Sequence, residues 1–279
     1  MSLRKLFDIL YIFVPFILSQ IALTLYSFGN VLAVRFLASA GILHGTADQL
    51  VALTEAIYYL TGPVISAAIC WLACRRFLIY GDTDRGFRPV FQTVAVFFFL
   101  GITIQYALSL LLTGMSAIFP AIFQAYQERL QDIGMVDPTL FSALSGVVIA
   151  PIYEEIIYRK LTISVARKSM PFWAANLLQA AIFGAAHMNL VQSSYAFLLG
   201  LVLGDLFWRY RSVIPGILLH FFINLSGFFL VPGNLLTSVI LLAISAAALW
   251  AVLQIQRQKA PAQYLLRKDR EQHQPDSEA

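Results

Sequence analysis

Six runs of this sequence, residues 9–34, 56–74, 89–127, 138–153, 169–204 and 212–256, contain no Asp, Glu, Lys or Arg. A helix crossing a bilayer needs about 20 predominantly apolar residues, and each run is long enough to supply most or all of one. Three are too long for a single crossing. Residues 169–204 divide at the polar stretch Asn189–Ser194, and 212–256 at Val231-Pro232-Gly233-Asn234, a turn sequence. The run 89–127 holds one span followed by an interfacial segment near Phe119–Gln127. The expected spans are therefore eight: 8–28, 56–75, 90–113, 139–160, 170–188, 192–208, 213–230 and 235–255.

Composition agrees. Apolar residues make up 59% of the chain and charged residues 12%, against roughly 45–50% and 25% in soluble domains. With the N-terminus inside, eight crossings place 17 of the 19 Lys and Arg on the cytoplasmic side. Only Arg35 and Arg129 fall outside, as the positive-inside rule requires. The expectation is an all-α polytopic membrane protein with both termini cytoplasmic. Residues 1–256 form one transmembrane domain, and the polar tail 257–279, which includes His273, is expected to be disordered. Ala38-Ser39-Ala40 resembles a signal-cleavage site, but the apolar run before it far exceeds a 7–15-residue signal core, so it reads as a retained span. The net charge of +4 comes without a basic run interleaved with aromatics, and nucleic acid is not an expected partner. Cys70 and Cys74, one turn apart, read as packed free thiols.

Ionisable residues inside spans are costly and are candidates for function. Glu154, Glu155 and Arg159 lie on the fourth expected span, His187 on the fifth, His220 and Asn224 on one face of the seventh. Glu155 and Arg159 are four apart, in the favourable order for a helical ion pair. Glu154 is rotated about 100° away and has no such partner, which suits a general base. Asp205 and Arg209, also four apart, read as a structural pair. His44 falls in the first outside loop, and Glu55 opens the second span near the outer face. No His-Glu-x-x-His zinc helix, Gly-x-Ser-Gly nucleophile motif or second membrane aspartate is present.

Glu154-Glu155-x-x-x-Arg159, Phe183-x-x-x-His187 and His220-x-x-x-Asn224 resemble the three motifs of the CAAX protease and bacteriocin-processing (CPBP) family of intramembrane endopeptidases. Ala150-Pro151, Gly200, Gly204, Trp208-Arg209 and Pro215 fit the same pattern. The resemblance covers about residues 139–230. It departs at Lys160, where many members have glycine. It implies a cavity open to the cytoplasm and hydrolysis of a peptide bond in a membrane-associated protein or peptide. Glu154 and His187 would activate water, His220 and Asn224 would stabilise the oxyanion, and Glu155 and Arg159 would support the site. If a metal takes part, Glu154, His187 and His220 are the ligand set for zinc with an open water position. Metal-free catalysis is the preferred alternative, because Asn224 beside His220 suits a donor pair. The implied location is the plasma membrane of a bacterial cell.

Two other classes compete. A non-catalytic immunity, maturation or scaffold factor could use the same fold, and a transporter could use a carboxylate–histidine relay, although no inverted repeat supports it. Convergence also sets a geometric demand. In straight full-length spans His187 would lie roughly 25 Å and His220 roughly 12 Å from the cytoplasmic end, so a short or tilted helix is required.

Overall fold

The computed structural model describes residues 10–75, 91–132, 136–229 and 235–272, and these are all-helical. In chain order the helices are α1 (Val14–Ser39), α2 (Ala47–Cys74), α3 (Phe91–Ile118), α4 (Pro120–Asp132), α5 (Leu140–Ala166), α6 (Phe172–Ala185), α7 (Leu190–Tyr210), α8 (Ile214–Phe229) and α9 (Leu235–Gln272). Eight apolar helices follow in the order the charge-free runs set. Five (α1, α2, α3, α5, α7) are long and apolar enough to cross a bilayer, and α6, α8 and the apolar part of α9 are shorter. The outward faces stay greasy, with Leu25, Phe28, Phe36 and Ile244 all more than half exposed. Such a surface is stable against lipid, and the chain is an integral membrane protein. The turn sequence 231–234, Arg4, Lys5, Arg76, Arg85, Arg88 and His273 lie outside the described residues.

Several boundaries differ from the sequence expectation. Helix α1 runs on to Ser39, so Arg35 and the Ala38-Ser39-Ala40 signature belong to its last turns. Helix α2 begins at Ala47, because Thr46 and Gln49 form a reciprocal capping box. Glu55 therefore sits inside that helix instead of opening it. The expected interfacial segment is α4, started by Pro120 after a break at Phe119. Helix α9 continues past Arg257, so the polar tail is helical as far as Gln272. Arg159 and Lys160, counted above with the cytoplasmic charges, are buried at 0% and 6% exposure. That leaves 15 of the 17 cations for the topological argument.

Helix α5 is the axis of the bundle. One core cluster joins its Tyr153, Ile157, Tyr158 and Leu161 to Ala67, Cys70 and Cys74 of α2 and to Ile182 and Phe183 of α6. Cys70 and Cys74 are free thiols there. A second cluster joins Phe97 of α3 to Leu199 and Leu203 of α7 and to Leu219 and Ile223 of α8. Helix α5 is not a regular α-helix. Ser145–Ile149 and Glu155–Ile163 are π-helical, with widened i→i+5 turns that are rare and concentrate at functional sites. Thr162 follows the same spacing, its hydroxyl donating to the Ile157 carbonyl five residues back at 2.8 Å.

Helices α6 and α7 approach closely through small residues, as membrane helices do. A Cβ on Gly200 would stand 3.0 Å from Ala180, and one on Gly184 2.8 Å from the Ser193 carbonyl. Polar clamps lock the pair. Gln179 donates to the Gly200 carbonyl at 2.7 Å, and Asn176 donates to the Leu201 carbonyl at 3.0 Å. At the end of the pair, Trp208 stacks on Phe172 and lies under the guanidinium groups of Arg167 and Arg211. Aromatic and cationic anchors of this kind mark a membrane–water interface. Asp205 and Arg209 pair at 2.5 Å on the exposed face, the structural arrangement their spacing suggested.

A Cβ on Gly204 would collide with the buried Asn176 and Gln179 amides. Gly204→Ala should therefore lower the unfolding midpoint in detergent, at a cost of about 1–3 kcal/mol. Gly29 has open space around its Cβ position, so Gly29→Ala should leave the midpoint unchanged or raise it.

Candidate active site

The site begins at the second widened turn of α5. Glu155 and Arg159 are both at 0% exposure, with Arg159 Nη1 3.0 Å from Glu155 Oε1. The pair is close, but its angles do not make a hydrogen bond, so attraction between charges holds it. The guanidinium also lies over the Phe183 ring, 4.4 Å from the centroid, a cation–π contact strengthened by desolvation. Gly216 at the start of α8 makes room for the carboxylate, since a Cβ there would overlap Glu155 Oε2.

The His220 imidazole is held between the two glutamates. Nδ1 stands 3.5 Å from Glu155 Oε1, and Nε2 stands 3.6 Å from Glu154 Oε2. Both distances are slightly beyond hydrogen-bond reach. Such contacts are often loose without substrate and tighten when it binds. Glu154 is the less buried of the carboxylates, with its side chain 20% exposed. The sequence assigned Arg159 to Glu155 and left Glu154 unpaired within its helix, and the side chains are arranged that way.

His187 lines the same cavity as Glu154 and His220, just beyond the end of the short helix α6. Its 14 residues span roughly 21 Å, less than the roughly 30 Å of a hydrocarbon core. The expected full span 170–188 is thus a shorter helix, and His187 sits on the turn beyond it. That turn is closely defined. Met188 adopts the left-handed conformation at φ 57°, strained for a non-glycine residue. The Asn189 side-chain amide donates to the His187 carbonyl at 2.9 Å, and its Oδ1 accepts from the Gln192 N–H to cap α7. The His187 Nδ1 lies 2.9 Å from the Phe183 carbonyl. A carbonyl can only accept, so Nδ1 carries the proton and Nε2 is the acceptor in the neutral ring.

Asn224 is one turn after His220 on α8. Its amide donates to the Gly146 carbonyl, in the first widened turn of α5, at 2.8 Å. One amide hydrogen and the oxygen are left for a ligand. Phe183 joins the elements, with its ring edge-on to both His187 and His220.

Glu154, His187, His220 and Asn224 line one cavity of about 480 Å³, together with Gln105, Tyr126, Gln192 and Tyr195. Its remaining wall is largely apolar, with Leu108, Leu112, Leu130 and Val136 among the lining residues. Glu155 and Arg159 stand behind it. His44 is exposed in the α1–α2 turn, away from the site. The sequence reading did not single out Gln105, Tyr126, Tyr195 or Gly216. An uncharged amide within a charge-free span was the available signal for Gln105. Nothing local marked Gly216, whose role depends on a carboxylate 61 residues earlier in the chain.

Among the described residues no group of three His, Cys, Asp or Glu side chains is placed to hold an ion, and Glu154, His187 and His220 are no exception.

Residues 136–226 match the model of the family described as Rce1-like, type II CAAX prenyl endopeptidase. UPF0177 protein YbdI of Lactococcus lactis subsp. lactis (strain IL1403) is 33% identical over 84 residues. The match covers 30% of this chain and 45% of that relative's length, so less than half of the relative is represented. No solved structure matches. The family match over 136–226 covers the same stretch as the three motifs and supports an intramembrane CAAX-type protease fold for it.

Replacing Glu155 by Gln leaves the Arg159 cation buried without its counter-charge, which costs about 3–5 kcal/mol for a fully buried pair. The expected outcome is a large fall in thermal stability in detergent, with a similar though smaller fall for Gly216→Ala.

Proposed function

We infer that this chain, with its Rce1-like segment at 136–226, is an endopeptidase that hydrolyses a peptide bond in a membrane-associated protein or peptide. One observation carries the reading. A carboxylate from α5, an imidazole from the turn after α6, and an imidazole and a primary amide from α8 face one cavity in an otherwise apolar bundle.

In this mechanism Glu154, assisted by the His187 Nε2 acceptor, takes a proton from a water molecule as its oxygen attacks the scissile carbonyl carbon. Negative charge then develops on the carbonyl oxygen, and the free Asn224 N–H and His220 would stabilise it. Collapse of the tetrahedral intermediate breaks the C–N bond, and the proton held by Glu154 passes to the departing amine nitrogen. Glu155 and Arg159 stay out of the reaction and hold His220 in register. The site has an acid–base group and donors for the oxyanion, and no step requires a metal.

The apolar wall of the cavity suits a substrate with a greasy side chain or lipid near the cleaved bond. We assign both termini to the cytoplasmic side on the strength of the cation distribution. The membrane is assigned as the bacterial plasma membrane, in keeping with the bacterial relative. The non-catalytic and transport readings account less well for donors and a base converging on one point.

Glu154→Gln keeps size and hydrogen-bonding capacity but removes the base. Cleavage should fall by about 10²–10⁴-fold while the unfolding midpoint stays near that of the parent. Mass spectrometry of membrane peptides from cells carrying either form identifies the substrate. A peptide pattern that does not change between the two forms contradicts the endopeptidase reading.

A further inference from the structure

Most of the polar side chains lining the cavity already have a partner. Glu154 faces His220, and His187 is tied to the Phe183 carbonyl. Asn224 is tied to the Gly146 carbonyl, Gln192 to Asn189, and Tyr126 to Tyr195. Gln105 differs. It lines the cavity and has no hydrogen-bond partner among the described residues.

Its placement on α3 is fixed by the helix face it shares. Gly101, Gln105, Leu108 and Leu112 are spaced four, three and four apart, one stripe of a helix. At the Gly101 end the stripe is clamped to α8, where an added Cβ would stand 2.7 Å from Phe222 Cβ. One turn later Gln105 rests beside Gly227 of α8. Leu108 and Leu112 continue the stripe along the apolar wall. Gln105 thus faces the cavity between Gly227 of α8 and the apolar Leu108 and Leu112 of its own helix. The amide is part-buried and opens onto the cavity, where it is available to a bound segment.

We propose that Gln105 is a substrate-binding residue whose primary amide pairs with a main-chain peptide group of the bound segment, on the apolar side of the scissile bond. A primary amide offers an acceptor and two donors, the complement of an extended peptide unit. The proposal rests on the endopeptidase reading. It extends the site beyond the matched segment 136–226 into the N-terminal half of the chain.

The test uses the full chain in lipid nanodiscs. The probe is a fluorogenic peptide ending in a farnesylated Cys–aliphatic–aliphatic–Met sequence, beside its unprenylated twin. Gln105→Met keeps the shape of the side chain and removes the amide. KM should rise about tenfold, the equivalent of one hydrogen bond, with kcat within about threefold, the signature of lost ground-state binding. The unfolding midpoint should hold or rise. Thr103→Val removes a hydroxyl bonded only within α3 and should leave KM unchanged. Unchanged KM for Gln105→Met, or a lowered unfolding midpoint, overturns the proposal, the latter by showing that the amide is structural. A parent enzyme that cleaves neither peptide contradicts the CAAX-peptide form of the endopeptidase reading, on which this inference rests, and removes the inference with it. A parent that cleaves, beside a Gln105→Met variant that matches it, removes this inference alone.

Discussion

A buried ion pair has to be protected on every side, and the organisation of this site follows from that requirement. Glu155 and Arg159 are both fully buried within an apolar bundle, where desolvation outweighs attraction unless the surroundings compensate. Compensation comes from three directions. Phe183 offers its ring to the guanidinium, Gly216 leaves space for the carboxylate, and His220 turns Nδ1 toward it. Phe183 brings α6 to α5, and Gly216 and His220 bring α8. The same requirement turns the other face of His220 toward Glu154 and the cavity. Pairs of this kind are weak sources of stability, so orientation of the imidazole is the better account of why this one is present.

Irregularity in the helices makes the rest of the geometry possible. The first widened turn of α5 contains Gly146, whose carbonyl accepts from Asn224. The second carries Glu155 and Arg159. Helix α6 stops short, and His187 sits on the turn that follows, its Nδ1 tied back to the Phe183 carbonyl. Straight, full-length helices would have left the two histidines at different depths.

Much of this was legible in the sequence, for identifiable reasons. Charge is so costly in lipid that the charge-free runs outlined the helices, and the few ionisable residues within them outlined the site. The i,i+4 spacing of Glu155 and Arg159 separated the paired carboxylate from the unpaired one. The ends of elements were less legible. The capping box at Thr46 extended α2 across Glu55, and α9 ran past Arg257 and through Pro261. The π-helical turns, the shortness of α6 and the steric role of Gly216 depend on packing between distant segments, which no local pattern encodes. Gln105 was overlooked because an uncharged amide does not interrupt a charge-free run.

The central claim is that the Glu155–Arg159 pair orients His220 and is dispensable for stability as long as both charges are removed together. A double-mutant cycle with Glu155→Met and Arg159→Met tests it directly, reading unfolding and cleavage on each form. The account predicts that each single variant is strongly destabilised, that the double variant recovers most of the lost stability, and that it remains impaired in cleavage because His220 has lost its anchor. A double variant that is stable and cleaves like the parent would contradict the claim.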